Sequence, residues 1–357
     1  MIYINGRFLS QRPTGVNRFA YEICRAFVSL NIHFIILAPS DIKRDYDVSM
    51  FKIVHIGYLK SHIWEQFFLP FYLFSRIKGS ILLSFTGLGP IFMRRHIATI
   101  HDLSFLENPL WYSKVYYYFY KLLTPILVQN AKAILTVSEF SKKTILKYYK
   151  ISQEKITVVY NAVPKSLYPN LKSKVDASVL SLNQPYFLAV SSLDPRKNFP
   201  RLISAFLSVN FPNMKLYIIG KKDRVFRDVH SVCENQDNVI YLGYVSDEDL
   251  QQYYKNAVAF VYPSLYEGFG IPPLEAMANG CPTVVSDIEV FREVYGNSVI
   301  YVNPLDTESI ADGLQRILDE RIRIELMSKV SEVLKNYSWK SSATRIVELL
   351  RKLGYIG

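Results

Sequence analysis

The stretch that decides the fold is Tyr262-Pro-Ser-Leu-Tyr-Glu-Gly-Phe-Gly-Ile-Pro-Pro-Leu-Glu-Ala-Met-Ala-Asn-Gly280. It continues the apolar run Ala257–Tyr262, which predicts a buried strand. The two glycines within 268–270 permit a tight turn, the Pro-Pro pair at 272–273 suits a first helical turn, and Gly280 suits the helix end. The sequence therefore predicts a strand, a loop and a helix whose first backbone N–H groups face an anion.

Two carboxylates belong to this stretch. Glu267 lies in the loop, and Glu275 follows eight residues later, where we expect the first helical turn. Because loops at the carboxyl ends of parallel strands border one crevice, both acids are predicted at that crevice. The alternative is an ordinary tight turn and a Glu275 that only complements the positive start of a helix.

A second strand, loop and helix are predicted at Ala189-Val-Ser-Ser-Leu-Asp-Pro-Arg-Lys-Asn-Phe-Pro-Arg-Leu202. Arg196 and Lys197 lie in its loop. If both loops border the same crevice, these cations face the glycine loop and can hold a diphosphate between them. A solvated basic turn is the alternative.

Apolar runs alternate with segments of helical period along the whole chain, which predicts an α/β fold with parallel sheets. The length of 357 residues and the 50% hydrophobic content can fill two cores, so we expect domains at 1–165 and 166–337. The linker is predicted within Pro164–Pro185, which contains three prolines and no clear βα unit. Besides one at the amino terminus, the predicted strands are Ile32–Ala38, Ile53–Ile56, Ile81–Phe85, Ile97–Ile100, Ala133–Ser138, Ile156–Val159, Tyr186–Ser191, Lys215–Ile219, Val239–Leu242, Ala257–Tyr262, Thr283–Ser286 and Val299–Val302.

Cysteine usage and the amino terminus indicate the compartment. Cys24, Cys233 and Cys281 lie far apart without C-x-x-C spacing, so neither a disulfide framework nor a zinc site is indicated. The amino terminus lacks the basic start and apolar core of a secretion signal. The most apolar later stretches, Ile63–Ile77 and Trp111–Val128, are interrupted by charged residues or proline, so neither is expected to span a bilayer. We therefore expect a cytoplasmic protein, with surface association to a membrane left open.

Positive charge is concentrated in the first part of the chain. The net charge is +11; residues 1–165 carry 21 Lys and Arg against 9 Asp and Glu, whereas the remainder carries 21 against 22. This asymmetry predicts a field that attracts anionic lipid, a phosphorylated acceptor or nucleic acid, and charge alone does not choose among them. A scattered solvated surface without a partner is the alternative.

The pairing of the two loop segments resembles the retaining glycosyltransferases of family 4, which have the GT-B fold. The resemblance covers nearly the whole chain and implies two facing Rossmann-like domains with a central cleft, the acceptor on the first and the nucleotide sugar on the second. It also implies that a C-terminal helix, 338–357, crosses back to complete the first domain. Further motifs that carry the resemblance are Arg12-Pro-Thr-Gly-Val-Asn-Arg-Phe-Ala-Tyr-Glu22, His101-Asp-Leu-Ser104, Val137-Ser-Glu-Phe-Ser-Lys142, Tyr160-Asn-Ala-Val163 and Leu242-Gly-Tyr-Val-Ser-Asp-Glu-Asp-Leu250.

The same resemblance implies roles for matching residues. Glu267 and Glu275 match an E-x7-E motif, in which the first acid lies by the donor sugar and the second accepts hydrogen bonds from the ribose hydroxyls. Arg196 and Lys197 match a phosphate-clamping pair, and His101 matches a histidine near the transferred sugar. We expect Glu267, His101, Arg196 and Lys197 to be catalytic. The other donor-binding positions implied, several of them through their backbone, are Gly15, Tyr244, Val245, Gly268, Phe269, Gly270 and Ile271.

The chemistry of sugar transfer agrees with these roles. Breaking the sugar–phosphate bond leaves a nucleoside diphosphate, whose growing negative charge Arg196, Lys197 and a helix start can stabilise. Metal-dependent families instead use an Asp-x-Asp pair. Here Asp45-Tyr-Asp47 falls in a polar loop, and Asp247-Glu-Asp249 opens a helix that Ser246 is expected to cap. We expect no metal and no cofactor besides the nucleotide-sugar co-substrate.

Retention of configuration follows from the resemblance and not from spacing. No general base is evident: His101 follows the run Ile97–Ile100 and is expected to hydrogen-bond a sugar hydroxyl or a backbone oxygen, with a buried, satisfied histidine as the alternative. The family's front-face mechanism, in which the leaving phosphate helps to deprotonate the acceptor, is the hypothesis that explains a missing base.

The resemblance to mannosyl-transferring members makes GDP-mannose the expected donor, with a UDP- or dTDP-hexose as the alternative. The expected acceptor is a glycan or a polyprenyl-diphosphate-linked glycan in bacterial surface polysaccharide synthesis, such as the O-antigen of lipopolysaccharide. The aromatic helical stretches Trp64–Phe74 and Trp111–Leu123 accompany the basic charge, which suits peripheral docking on an anionic membrane. Core packing is the alternative explanation for these aromatics.

Other classes of protein fit less well. A dinucleotide-dependent oxidoreductase needs G-x-G-x-x-G after its first strand, where this chain has Gly6-Arg-Phe-Leu-Ser-Gln11. A nucleic-acid-binding module is suggested only by charge, so no nucleic-acid partner is expected. A GT-B-fold nucleotide-sugar epimerase or phosphorylase shares the fold but not this pairing of loops, and stays an alternative.

Overall fold

The chain folds into two compact units. The computed structural model describes residues 1–11, 14–43, 45–59, 61–74, 76, 79–168, 184–220 and 237–357. The first unit comprises Met1–Glu107, Tyr117–Asn161 and Tyr337–Gly357, and the second comprises Asn108–Tyr116 and Ala162–Asn336. Most of the predicted linker, at 169–183, lies outside the described residues, as do Cys233 and the Arg12-Pro13 pair.

The first unit contains a parallel sheet of seven strands. They are β1 (Ile2–Asn5), β2 (Phe34–Ala38), β3 (Ile53–His55), β4 (Ile81–Ser84), β5 (His96–Thr99), β6 (Ala133–Thr136) and β7 (Ile156–Val158), in the order β3-β2-β1-β4-β5-β6-β7. The helices of this part of the sequence are α1 (Gly15–Ser29), α2 (Ser61–Phe74), α3 (Ser104–Glu107), α4 (Lys114–Asn130) and α5 (Glu139–Tyr148).

The second unit contains a parallel sheet of six strands. They are β8 (Tyr186–Val190), β9 (Lys215–Ile219), β10 (Val239–Gly243), β11 (Ala259–Tyr262), β12 (Thr283–Ser286) and β13 (Ile300–Val302), in the order β10-β9-β8-β11-β12-β13. The described helices of this unit are α6 (Phe199–Val209), α7 (Asp247–Asn256), α8 (Ile271–Ala278), α9 (Glu289–Tyr295), α10 (Thr307–Arg316) and α11 (Glu320–Lys335).

The last helix, α12 (Trp339–Lys352), belongs to the first unit. Ser338 caps this helix, because its hydroxyl accepts a hydrogen bond from the backbone N of Ser341 at 3.1 Å. The Ser342 hydroxyl donates to the carbonyl oxygen of Tyr160 at 2.6 Å. Residues from the end of the chain thus complete a sheet unit that begins at residue 1.

Both sheets reverse their strand order once. In the first, β1 lies between β2 and β4; in the second, β8 lies between β9 and β11, so that Phe187 pairs with both Leu216 and Ala259. At such a reversal, the loops that leave the carboxyl ends of the two central strands separate to opposite faces and open a crevice. The loops after β1 and β4, and those after β8 and β11, are therefore the places where each unit can bind a ligand.

The predicted α/β fold is confirmed, and each predicted strand is present with ends within two residues of those expected. The largest differences lie at strand ends, as where the run Ile32–Ala38 forms a strand only from Phe34. Several strands are buried along their whole length, as expected for sheets covered on both faces, which explains why the predicted runs are continuously apolar. These strands are β1, β4, β5, β6, β11 and β12.

Two helix positions differ from expectation. The aromatic helix α4 begins only at Lys114, because Trp111 ends a separate 3-10 turn and Tyr112 is extended. Glu275 is the fifth residue of α8, in its second turn and not its first, because the helix starts at Ile271. Among the described residues, no helix is long and apolar enough to cross a membrane.

Candidate functional site

The candidate site lies in the second unit, after the two strands at which its sheet reverses. The segment after β8 forms a 3-10 turn, Pro195–Lys197. The turn forms because the Asp194 carboxylate accepts a hydrogen bond from the backbone N of Arg196 at 3.0 Å and a proline supplies the first residue. Both predicted cations, Arg196 and Lys197, consequently lie at the carboxyl edge of the sheet.

Lys197 is buried and contacts the glycine loop. Its Nζ donates hydrogen bonds to Glu267 Oε1 at 2.5 Å and to the Tyr262 hydroxyl at 2.8 Å. Burial opposes a charge on this ammonium, but the Glu267 carboxylate more than offsets it, so the pKa of Lys197 lies above its usual value. Burial also raises the pKa of Tyr262 to about 12. Lys197 is therefore held charged, and its hydrogen bonds to Tyr262 and Glu267 fix the direction of its ammonium group.

Arg196 extends the same cluster. Its Nε lies 3.4 Å from Asp194 Oδ1, and its Nη1 lies 4.0 Å from Glu267 Oε2. The carbonyl oxygen of Arg196 accepts a hydrogen bond from the backbone N of Leu265 at 2.7 Å. The loops after β8 and β11 are thus joined by main-chain and side-chain contacts, as the sequence had suggested for a shared crevice.

Asn198 braces the loop that carries the two cations. Its backbone is left-handed, with φ of 62°, a conformation that asparagine tolerates better than most residues. Its Nδ2 donates to the carbonyl oxygens of Pro263 at 3.0 Å and Pro304 at 2.7 Å, and its Oδ1 accepts from Arg201 at 2.8 Å. The loops after β8, β11 and β13 are therefore held together by one side chain.

The glycine loop turns sharply before α8. Gly270 has φ of +93°, and a Cβ there would lie 2.6 Å from both the Phe291 ring and the Tyr295 hydroxyl. The Tyr295 hydroxyl donates a hydrogen bond to the carbonyl oxygen of Gly270. Only glycine satisfies both the backbone angle and the space, so the predicted turn is confirmed. At the other end of α8, Gly280 has φ of +79° and follows the last helical residues, also as predicted.

Glu275 is buried in α8 and contacts a residue of α7. The Tyr254 hydroxyl donates a hydrogen bond to Glu275 Oε2 at 2.9 Å. Burial, followed by the nearby Glu275 carboxylate, raises the pKa of Tyr254, which keeps this hydroxyl protonated as a donor. The Glu275 carboxylate is thereby oriented from the helix that follows β10.

The remaining predicted donor-binding positions of the second unit lie on the same loops. Tyr244 follows β10 and is exposed, and Val245 beside it is half-buried. Gly268 and Phe269 are buried within the glycine loop, and Ile271 is the half-buried first residue of α8. Direct contacts join Arg196 and Lys197 to Glu267. The binding roles of all these positions stay predictions.

Two predicted residues, Gly15 and His101, belong to the first unit. Gly15 is the exposed first residue of α1, which the Thr14 hydroxyl caps. His101 Nε2 lies 2.8 Å from the carbonyl oxygen of Phe85 and therefore carries the hydrogen that it donates. Burial lowers the pKa of His101, and the ring of Phe19 packs edge-on at 5.1 Å. Of the two partners expected for this histidine, the structure shows the backbone oxygen.

The two Asp-x-Asp triplets take part in hydrogen bonds within the protein, including one from the Ser166 hydroxyl to Asp247 Oδ2 at 2.7 Å. Asp47 Oδ1 accepts hydrogen bonds from the backbone and hydroxyl of Ser49. Ser246 caps α7 as predicted, because its hydroxyl accepts from the backbone N of Asp249 at 3.0 Å. No group of three or more His, Cys, Asp or Glu residues in the described part of the chain is arranged to hold a metal ion. Independence from a metal stays a prediction.

Three of the site's positions were not anticipated from the sequence. Tyr262 and Tyr254 supply hydroxyls to Lys197 and Glu275, and Asp194 shapes the turn. Asp194 precedes a proline, which is a recognisable capping signal. Nothing in the sequence distinguishes the two tyrosines from the many others that pack in cores.

Comparison with solved structures identifies the fold. Over 98% of this chain and 99% of the other, the structure matches the crystal structure of HepE from Anabaena, with a TM-score of 0.75 at 15% sequence identity. At that identity the match shows the fold alone. It is the GT-B fold of glycosyltransferases, with two Rossmann-like domains.

Sequence matches then define the family. Residues 13–167 match the family described as Glycosyltransferase Family 4, and residues 172–338 match Glycosyl transferases group 1. O-antigen chain mannosyltransferase B of Escherichia coli is 30% identical over 275 residues, which cover 73% of this chain and 71% of that protein. The chain belongs to glycosyltransferase family 4, among proteins similar to mannosyltransferases.

A further relative is the O-antigen chain mannosyltransferase RfbU of Salmonella typhimurium. It is 36% identical over 229 residues, which are 63% of this chain. The matched stretch spans 61% of RfbU, less than two thirds of that protein's length.

Proposed function

We propose that this chain transfers a hexose from a nucleoside diphosphate sugar to a glycan or lipid-linked acceptor. The observation that carries the proposal is the cluster of Arg196, Lys197 and Glu267 at the strand reversal of the second sheet. When the bond between sugar and phosphate breaks, negative charge grows on the leaving diphosphate. Two preorganised cations stabilise that charge without reorganisation in the transition state.

The neighbouring loops supply the remaining donor contacts in this proposal. Glu275, oriented by Tyr254, receives the ribose hydroxyls, which are hydrogen-bond donors suited to a carboxylate. Backbone N–H groups of Phe269, Gly270 and Ile271 meet the sugar or phosphate at the start of α8. Tyr244 and Val245 border the base. Glu267 lies by the donor sugar.

The first unit supplies Gly15, whose lack of a side chain lets the backbone approach the donor phosphates, and His101 near the transferred sugar. Because His101 Nε2 donates to a backbone carbonyl and burial favours the neutral ring, we assign it a positioning role and no proton transfer. Retention through a front-face reaction, in which the leaving phosphate receives the acceptor proton, requires no protein base. We propose that route, without a catalytic metal.

GDP-mannose is the proposed donor, and O-antigen synthesis is the proposed setting. Support comes from the printed names of RfbU and of the Escherichia coli relative, both O-antigen chain mannosyltransferases. A UDP-hexose is the second candidate, because the structure of HepE was obtained in complex with UDP and glucose. The acceptor is then a growing glycan, either free or on a polyprenyl diphosphate.

We also propose that the protein contacts an anionic membrane surface, because a polyprenyl diphosphate carrier would hold the acceptor at the membrane. On α2, Phe67, Phe71 and Phe74 recur about one helical turn apart and are 67%, 83% and 84% exposed, whereas Trp64 and Leu73 on another face pack in the core. Core packing therefore accounts for the buried face of this helix, and the exposed face is the one that we propose for membrane contact. A row of exposed phenylalanines is unusual on a monomer and suits insertion at a lipid interface.

The charge of the neighbouring sequence also favours lipid. The segments 66–101 and 108–138 contain seven Lys and Arg and no Asp or Glu. Hydrogen bonds from Gln66 to Gly89 and from Asn130 to Ile91 place the loop between β4 and β5 beside both α2 and α4. A second copy of the chain would bring two positive surfaces together, whereas an anionic bilayer is attracted to one.

A thermal-shift screen tests the transferase proposal. GDP, UDP and dTDP, with their common sugars, are added with and without EDTA to the wild type, Lys197→Ala and Glu275→Ala. We expect one nucleotide sugar to raise the melting temperature of the wild type despite EDTA, and neither variant to respond. Lys329→Ala, at an exposed lysine of α11, is the matched control and keeps the response. No shift by any nucleotide at millimolar concentration would contradict the site.

Product analysis then separates the remaining alternatives. With the stabilising nucleotide sugar, a transferase releases the nucleoside diphosphate only as acceptor is glycosylated. An epimerase needs no acceptor, and a phosphorylase releases a sugar phosphate. A product whose new glycosidic bond has the opposite anomeric configuration to the donor would contradict retention, but it would still show sugar transfer.

A further inference from the structure

A buried charged cluster lies at the strand reversal of the first sheet. β1 ends at Asn5 and β4 at Ser84, and Asn5 Nδ2 donates both to Ser84 Oγ at 3.1 Å and to Glu65 Oε1 at 2.7 Å. In the second unit the same topological position carries the Lys197–Glu267 pair. We refer to the group in the first unit as the Glu65 cluster; it consists of Asn5, Arg7, His62 and Glu65.

Glu65 is fully buried yet ionised. Burial opposes its charge, but Arg7 and a hydrogen bond from His62 outweigh that effect and lower the pKa of Glu65. Arg7 Nε lies 3.0 Å from Glu65 Oε1, and Arg7 Nη2 donates to the carbonyl oxygen of Thr86 at 2.9 Å. An ionised carboxylate only accepts hydrogen bonds. Every partner of Glu65 must therefore present a hydrogen to it.

This requirement determines the tautomer of His62. Its Nδ1 lies 3.0 Å from Glu65 Oε2 and must carry the donated hydrogen. In the neutral ring, Nε2 then has a free lone pair and accepts hydrogen bonds. The side chain is 27% exposed, and within the described part of the chain Nε2 has no hydrogen-bond partner. A group that binds to Nε2 of the neutral ring has to be a hydrogen-bond donor.

The surroundings of His62 suit a sugar. The rings of Phe119 and Tyr120 lie 5.1 and 6.2 Å from the imidazole, between centroids. At Gly87 there is no side chain: a Cβ there would lie 3.5 Å from Arg7 Nη2 and 3.7 Å from the Tyr120 hydroxyl. Aromatic walls with a few oriented polar groups are the usual lining of small-molecule sites.

We propose that His62, oriented by Glu65, binds a hydroxyl group of the acceptor sugar at the strand reversal of the first sheet. The assignment rests on the proposed function, because a sugar acceptor is a substrate only of a transferase. A fully ionised phosphate is not expected at Nε2 of the neutral ring, because its oxygens have no hydrogen to donate to the lone pair. Glu65 and Arg7 are positioning residues in this arrangement, because they act through His62.

The tautomer can be measured without any substrate. Protein labelled with 15N-histidine is examined by NMR at alkaline pH, where imidazoles are neutral, and His62→Gln identifies the signal. We expect the hydrogen on Nδ1 of His62, opposite to His101, where it lies on Nε2. A hydrogen on Nε2 of His62 would overturn the assignment, whatever the enzyme's activity.

Three substitutions separate binding from a structural role. Asparagine at position 62 reproduces the Nδ1 contact with Glu65 but has no atom at Nε2, whereas glutamine brings an amide oxygen toward the Nε2 position. With octyl α-mannoside as the acceptor probe, we expect His62→Ala and His62→Asn to raise the acceptor KM about tenfold, the loss of one hydrogen bond. His62→Gln is expected to raise the acceptor KM less than the other two substitutions. The donor KM is expected to stay unchanged in all three variants.

The outcomes are distinguishable. If the acceptor KM of His62→Asn equals that of the wild type, then His62 only contacts Glu65 and does not bind the acceptor. That result would overturn the proposal. His33→Ala, at an exposed histidine, is the control and leaves both KM values unchanged. A wild-type protein that binds no nucleotide sugar contradicts the proposed transferase, while the NMR measurement still decides the tautomer on which this inference depends.

Discussion

Lys197 Nζ donates a hydrogen bond to Glu267 Oε1 at 2.5 Å, although the two residues are 70 positions apart in the chain. They occupy the loops after β8 and β11, the strands at which the second sheet reverses. The cation that we propose to bind phosphate and the acid that we propose to lie by the donor sugar thus form one ion pair. The pair gives both side chains a fixed direction before any ligand binds.

Breaking this pair should be costly. Glu267→Gln replaces the carboxylate beside the buried Lys197 ammonium with a neutral amide, so we expect the free energy of unfolding to fall by about 3–5 kcal/mol. Urea denaturation measures the loss. The double variant Lys197→Met with Glu267→Leu should regain a large part of it, because no unpaired buried charge remains. Strictly additive losses would show that the two side chains are not coupled.

The glycine loop allows a matched comparison between two left-handed glycines. Gly270→Ala and Gly280→Ala both impose a positive φ on alanine, at a cost of about 1 kcal/mol. Only the Gly270 Cβ would meet neighbours, at 2.6 Å, whereas the space around Gly280 is open. We expect Gly270→Ala to lower the melting temperature clearly more than Gly280→Ala, and to abolish the response to nucleotide sugar. Equal losses would mean that α9 moves away at little cost.

Acid should weaken the first unit through Glu65. The folded-state pKa of Glu65 is depressed, so its stabilisation is complete above the unfolded value, about 4.3, and is lost as pH falls through the folded value. At neutral pH, Glu65→Gln should cost about 3–5 kcal/mol of unfolding free energy, because the buried Arg7 loses the carboxylate that balances its charge. Below about pH 4 the difference in unfolding free energy between wild type and Glu65→Gln should become smaller. Denaturant curves from pH 3 to 7 measure it; a constant difference would contradict an ionised Glu65.

The exposed face of α2 should bind anionic lipid. We expect the protein to sediment with vesicles of phosphatidylglycerol and phosphatidylcholine at low salt, and not with phosphatidylcholine alone. Phe71→Ser combined with Phe74→Ser should reduce the bound fraction about tenfold or more, because two exposed rings no longer enter the interface. Leu305→Ser combined with Ile324→Ser, at exposed apolar positions of the second unit, is the control and should bind like the wild type. Equal binding by both double variants would place the contact elsewhere.

The sequence was sufficient to locate the elements. Its apolar runs predicted every strand in the described part of the chain, since a strand buried on both faces must be apolar along its length. Gly270 and the Pro-Pro pair at 272–273 predicted the turn into α8, because local backbone geometry limits which residues fit there. The family was recognisable for the same reason, through loop motifs that are contiguous in the chain.

The sequence did not predict the residue at which a helix begins, nor which face of a helix packs against the rest of the protein. Glu275 falls in the second turn of α8, and its partner Tyr254 comes from another helix. The phenylalanines of α2 looked equivalent, yet the structure exposes Phe67, Phe71 and Phe74. Exposure depends on what packs against a helix, which periodicity alone does not state.

What the sequence by itself determined, then, is the α/β alternation, the two glycine-containing and basic loops, and the family. Only the tertiary structure decided that Lys197 pairs with Glu267, and that Asn5 and Arg7 meet His62 and Glu65 at the first strand reversal. The physical reason is the order of strands in a parallel sheet. β1 adjoins β4, and β8 adjoins β11, so loops distant in the chain share one edge, where buried charges require partners.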